Sequence, residues 1–352
     1  MAEVMTVCGP ISPEALGVTM SHVHLLIALT AAEQKPTDEV VTASERELRD
    51  KPVTMDILGI IRRHSFSVKD NLILGDVEEA IRELILYRRM GGDSLVETTL
   101  VGIGRDPVGL QQISRATGVN IICATGWYIA ASHPAMVKAS SIDELCDYMV
   151  RELTAEIETS GIRAGLIKAA CSSRNPDIPF TGDEEKVLRA AARAQARTGA
   201  AMTIHPCHHY GRARHQHTYL DIIEQEGADL EKFYFSHMER CAKDLDYEKS
   251  VLDRGVSAAY DQFGTEDYVR PGWSKPTDET RVEGIVNLVK AGYEKQILLS
   301  NEVVRKTGLR KYGGYGYAHV LENIVPDLRY FGVTRGQIKT MLVDNPRRLL
   351  PF

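Results

Sequence analysis

Eight short β-prone apolar runs, separated after the first by stretches of helical periodicity, constrain the fold of this chain more than any other feature. The runs span 17–28, 93–98, 119–125, 163–168, 201–205, 232–237, 256–260 and 296–300. Helices are expected at 75–90, 107–117, 142–158, 183–198, 218–226, 242–253 and 279–291. Eight βα units without a break in composition predict one α/β domain over 1–352, a (β/α)8 or TIM barrel. An open doubly wound sheet is the alternative, but it would spread the strand ends along a crevice instead of aiming them at one axis. The segment 333–352 reads as closing helices, with Thr334 an N-cap for a helix over 335–342.

The strand ends carry the chemistry. Met20-Ser21-His22-Val23-His24-Leu25 places two imidazoles on one face of the first strand, because side chains two apart in a strand share a face. Alone, that pair is two polar residues on an edge strand. Lys168 ends the fourth run, His205 the fifth and His237 the sixth, while Glu302 follows the eighth. Core packing gives no reason for this repetition. In a closed barrel, strand C-termini converge on the face where barrel enzymes work, and strands one and eight are neighbours. His22, His24 and Glu302 are therefore expected together, with His205 and His237 as a second pair and Lys168 beside it. An ammonium between two metal cations would be repelled. As a carbamate formed with CO2, Lys168 would become an anionic bridge.

Net charge and composition narrow the partners. A net charge of −6, with 43% hydrophobic and 26% charged residues, offers no basic stripe for a phosphate backbone. Nucleic acid is not an expected partner; a small molecule is. No apolar run approaches the roughly 20 residues that a spanning helix needs, and the first residues lack the pattern of a signal peptide. A cytoplasmic location without membrane contact follows as the expectation. Six cysteines without CxxC spacing read as reduced and mostly buried.

Several motifs resemble the phosphotriesterase-like family of the amidohydrolase superfamily. They are Ser21-His22-Val23-His24, Val101-Gly102-Ile103-Gly104-Arg105-Asp106-Pro107, Ala124-Thr125-Gly126-Trp127-Tyr128 and Gly165-Leu166-Ile167-Lys168. Thr203-Ile204-His205-Pro206, Ser236-His237-Met238-Glu239-Arg240 and Asp344-Asn345-Pro346 continue the likeness. Tyr312-Gly313-Gly314-Tyr315-Gly316-Tyr317 looks like the branch of phosphotriesterase-related proteins and lactonases. The resemblance implies a two-metal site with a bridging hydroxide, carried by His22, His24, Lys168, His205, His237 and Glu302. The metals would be two divalent ions, zinc first, with manganese, cobalt or iron also compatible with the donors. Lys168 would be an N6-carboxylysine, Glu302 the catalytic base, and the assembly a homodimer. The chain departs from the family where Glu302 replaces the usual strand-eight aspartate and where Glu239 stands in place of an aspartate after His237. Each change adds a methylene.

The resulting expectation is a hydrolase of a small ester, lactone or amide, with phosphotriesters as a side activity. The alternative is a metal-binding homologue without catalysis, disabled by Glu302. Substrate contacts are expected from Tyr128, Trp127, His208 and Arg212, although Trp127 could equally be barrel-to-helix packing. Arg105 and Asp106 read as an ion pair or cap opening the helix at Pro107. The polar segment 31–72, with one helix near 55–64, reads as an insertion that caps the site.

Overall fold

The computed structural model describes residues 2–32, 46–173, 177–207, 214–266 and 275–352. Eight parallel strands form one sheet in chain order: β1 Thr19–Val23, β2 Ser94–Glu97, β3 Asn120–Gly126, β4 Leu166–Ala170, β5 Met202–His205, β6 Phe233–Phe235, β7 Ser257–Tyr260 and β8 Ile297–Leu299. Helices α1 Val77–Arg89, α2 Pro107–Thr117, α3 Ile142–Thr154, α4 Glu184–Thr198, α5 Gln216–Gln225, α6 Leu245–Leu252, α7 Asp278–Lys290 and α8 Val325–Tyr330 alternate with them. The expected (β/α)8 barrel is therefore the observed fold. Its strands are nearly all buried, as parallel strands covered by helices must be.

Between β8 and β1 a side chain completes the closure. Ser300 Oγ accepts from the His22 N–H at 3.0 Å and donates to the His22 carbonyl at 2.6 Å. The hydroxyl thus does for this seam what backbone groups do elsewhere, and it fixes the backbone of His22. Asn345 supports β8 from outside: its Nδ2 donates to the Ile297 and Glu294 carbonyls at 2.7 and 2.8 Å. The closing Asp-Asn-Pro motif is thereby a structural clasp.

Local capping accounts for most differences from the expected boundaries. The run at 17–28 is broken after Val23, because the Glu97 carboxylate takes the Leu25 N–H at 3.2 Å. Ile27–Ala28 then leaves the barrel and pairs antiparallel with Ile73–Leu74. The helix expected from 242 begins at Leu245, where Asp244 accepts the Tyr247 N–H. Asp106 caps α2 through the Gly109 N–H at 2.8 Å, with Pro107 in the first turn. Arg105 turns the other way and grips Glu152 of α3 with two bonds, at 2.6 and 2.8 Å. Both side chains are buried, and breaking such a pair from one side costs about 3–5 kcal/mol.

The insertion leaves and rejoins the barrel through the Ile27–Ala28/Ile73–Leu74 pair. Its described part contains the helix Leu58–Arg63 and a small apolar core of Leu48, Val53, Ile57, Leu58, Ile61 and Val68. That core docks on the loop after β8. Lys306 pairs with Asp70 at 2.5 Å, Thr307 N–H donates to Asn71 at 3.0 Å, and Arg62 donates to the Gly313 carbonyl at 2.9 Å.

Candidate metal centre

Histidine nitrogens, one lysine and one carboxylate from five strands meet at one end of the barrel. Glu302 Oε1 lies 3.3 Å from His22 Nε2, 3.7 Å from His24 Nε2 and 3.5 Å from His237 Nε2. His237 Nε2 is 2.8 Å from His205 Nδ1, and Lys168 Nζ is 3.0 Å from His22 Nε2. All six residues expected from the sequence are thus brought together. Two of the resulting groups, His22/His24/Glu302 and His205/His237/Glu302, hold their donor atoms within 4.8 Å of one another.

Hydrogen bonds behind the rings decide which nitrogen faces inward. Asp261, the residue just past β7, accepts from His22 Nδ1 on Oδ2 at 2.7 Å and from His237 Nδ1 on Oδ1 at 2.6 Å. Each Nδ1 therefore carries the proton, and each Nε2 turns a lone pair to the centre. His24 is set by a relay. Thr99 gives its only hydroxyl proton to Glu97 at 2.6 Å, so it must accept from His24 Nδ1 at 2.8 Å. Sequence reading missed Asp261, Glu97 and Thr99. Asp261 follows its strand as Glu302 follows β8, which was the available signal.

Backbone geometry adds to this. His237 sits at φ 61°, in the left-handed region that non-glycine residues rarely adopt, at a cost of about 1–3 kcal/mol. Asp261 Oδ1 holds it there by taking both the His237 N–H at 3.0 Å and the ring proton. Gly126 is required next to Lys168: its φ is 119°, and a Cβ there would lie 2.0 Å from the Lys168 carbonyl oxygen.

Electrostatics fit a cation at the centre. Burial pulls His22 and His205 well below the ordinary histidine pKa, and lowers His24 to about 4 and His237 to about 3. The rings are neutral and able to ligate. Burial likewise lowers Lys168 to about 8, making a neutral amine accessible. Burial opposes charge on Glu302, yet His237 and His22 facing it hold its carboxyl well below the usual range. Four imidazoles whose own protonation burial suppresses cannot all supply that positive charge. A bound divalent cation would supply it. Imidazole and carboxylate donors suit zinc and its first-row neighbours.

The expected substrate contacts divide. Tyr128 packs edge-on against His205, with ring centroids 5.3 Å apart, and its ring centroid lies 5.9 Å from Lys168 Nζ, so it borders the centre. Trp127 is fully buried, with its ring 5.1 Å from that of Tyr148 on α3; it packs barrel to helix instead of walling the pocket. His208 and Arg212 lie outside the described residues. Beside Glu302 a small cleft opens, lined by Phe263, Asn301, Val303, Arg305 and Tyr315. Gln262 holds the outer oxygen of Glu302, its Nε2 donating to Oε2 at 3.0 Å.

Comparison with known proteins agrees with this geometry. The phosphotriesterase family model matches residues 2–350. The chain is 34% identical to the N-acetyltaurine hydrolase of Homo sapiens, over 99% of this chain and 98% of that protein. It is 35% identical to a phosphotriesterase-related protein of Nematostella vectensis, with the same coverage. Among solved structures, a resiniferatoxin-binding protein from Rhodobacter sphaeroides superposes with a TM-score of 0.92 at 35% identity, covering 99% of this chain and 95% of that one. A lactonase from Listeria monocytogenes superposes with a TM-score of 0.79 at 26% identity, covering 99% and 98%. Family, fold and relatives agree over essentially the whole chain, which belongs to the phosphotriesterase family and is a metal-dependent hydrolase.

Proposed function

We propose that the protein hydrolyses the carbonyl–nitrogen bond of a small N-acyl amide, with esters and lactones as weaker substrates and phosphotriesters as a side activity. The observation that carries this reading is Glu302, whose Oε1 faces three imidazole nitrogens at 3.3–3.7 Å while Gln262 holds Oε2. The names of the relatives support an amide or lactone over a phosphotriester.

In this reading His22, His24 and Glu302 would hold one divalent ion, zinc first, and His205 and His237 would hold the other. Lys168 would join them as an N6-carboxylysine, which forms when its neutral amine adds to CO2 and releases a proton. Such ions, when bound, would supply Lewis-acid chemistry, polarising the substrate's oxygen and lowering the pKa of the attacking water. The protein's own groups do the rest. Asp261 keeps His22 and His237 in the ligating tautomer. Glu302 takes the proton of the attacking water and returns it to the leaving nitrogen, so that a carboxylic acid and an amine depart. The longer glutamate stem reaches the three imidazoles, which argues against a homologue disabled by the added methylene. Tyr128 borders the substrate, and the insertion at 31–72 serves as a cap, a reading supported by its docking on the loop after β8.

A screen of the metal-loaded protein against N-acyl amides, lactones, aryl esters and aryl phosphotriesters tests this. The best amides should reach an ordinary enzymatic kcat/KM of about 10⁴ M⁻¹s⁻¹ or more, with phosphotriesters far below. A phosphotriester as best substrate would contradict the amide assignment. Metal binding without turnover of any class would favour the non-catalytic homologue.

A further inference from the structure

We propose that Arg240 is a recognition group for an anionic substituent, so that the preferred substrates are N-acyl amides bearing a sulfonate or carboxylate. The substrate class rests on the hydrolase reading above; the anion site rests on Arg240 itself. Arg240 lies three residues beyond His237, on the turn Met238–Cys241 that leaves the end of β6. Its charge falls on His205 and Tyr128, the two rings that meet edge to face beside Lys168.

The carboxylates that bear on Arg240 are Glu239, Glu302 and Asp261, and each is engaged elsewhere. Glu239 Oε1 accepts the Gln262 N–H at 2.9 Å and lies 3.7 Å from Arg281 Nε. Glu302 faces the histidines with one oxygen and Gln262 with the other. Asp261 spends both oxygens on His22 and His237. Among the described residues none of these makes an ion pair with Arg240, and its buried Nε has no hydrogen-bond partner. A guanidinium stays charged at any working pH. Holding one largely desolvated with no counter-ion among the described residues is unfavourable, and an oxyanion brought by the substrate removes that penalty. The planar fork suits the paired oxygens of a carboxylate or sulfonate.

The test uses three matched amides: N-acetyl-2-aminoethanesulfonate, N-acetyl-β-alanine and neutral N-acetylethanolamine. The wild type should favour at least one anion over the neutral amide by about 10²-fold in kcat/KM, the range expected for a charged hydrogen-bonded pair. Whether the sulfonate or the carboxylate leads identifies the anion. Arg240→Gln should collapse that ratio, and Arg240→Lys should retain part of it. In parallel, calorimetry should find that Arg240→Gln binds propane-1-sulfonate at least about tenfold more weakly than wild type, with unchanged metal content. Equal losses on neutral and anionic amides, or unchanged propane-1-sulfonate affinity, would overturn the proposal. Arg240-dependent anion binding without amide turnover would keep the anion site and sink the amide reading. Amide turnover without anion preference would do the reverse.

Discussion

Replacing Glu302 with glutamine is expected to lower kcat by about 10²–10⁴-fold, the contribution of a positioned proton acceptor. Glutamine keeps the stem, so it still reaches the imidazoles that Glu302 Oε1 faces at 3.3–3.7 Å. What it loses is the negative charge and the ability to take the proton. At least one metal should therefore remain bound while turnover falls and KM changes little. The competing assignment gives the role to Asn301. Its Nδ2 is already held by the Gly316 carbonyl at 2.6 Å, which ties Asn301 to the loop after β8. Unchanged kcat in Glu302→Gln, combined with a large loss in Asn301→Ala, would reverse the assignment.

Lys168→Ala should lose more than about 10²-fold in activity, because even changes behind the ligands of a metal site cost 10–100-fold. The side chain is fully buried, with Nζ 3.0 Å from His22 Nε2 and 3.0 Å from Thr98 Oγ1. Truncation leaves a cavity at the place where a carbamate would project. Acetate or propionate fits that cavity and presents the same carboxylate, so millimolar additions should restore part of the activity. Lys168→Met fills the space and should not respond. Full activity in Lys168→Ala without added acid would end the bridge assignment, and rescue of the Met variant would assign the effect to something other than the cavity.

The periodic part of the architecture was legible in the sequence. Eight apolar runs gave eight strands, because a strand buried on both faces can hardly avoid a continuous apolar run. The six inward groups were legible for the same reason: a histidine, lysine or glutamate at the end of such a run has no packing role to hide it. Asp261 escaped because its partners are far away in sequence. Only the folded barrel brings it against both His22, 239 residues earlier, and His237, 24 residues earlier. Thr99 and Glu97 are ordinary residues in sequence and acquire meaning from one hydrogen-bond relay to His24. Trp127 illustrates the opposite case, since its place beside Tyr128 just past β3 does not say which way either ring points. Tyr128 borders the centre while Trp127 packs outward on Tyr148.

Metal content measured on purified protein, by elemental analysis after gel filtration, tests the central claim most directly. Four imidazoles, three of them set in the ligating tautomer, with one lysine and one carboxylate predict close to two divalent ions per chain, with hydrolysis lost on chelation and restored by adding zinc, manganese or cobalt. Protein that holds no metal and gains no hydrolysis from any of these ions would contradict the account.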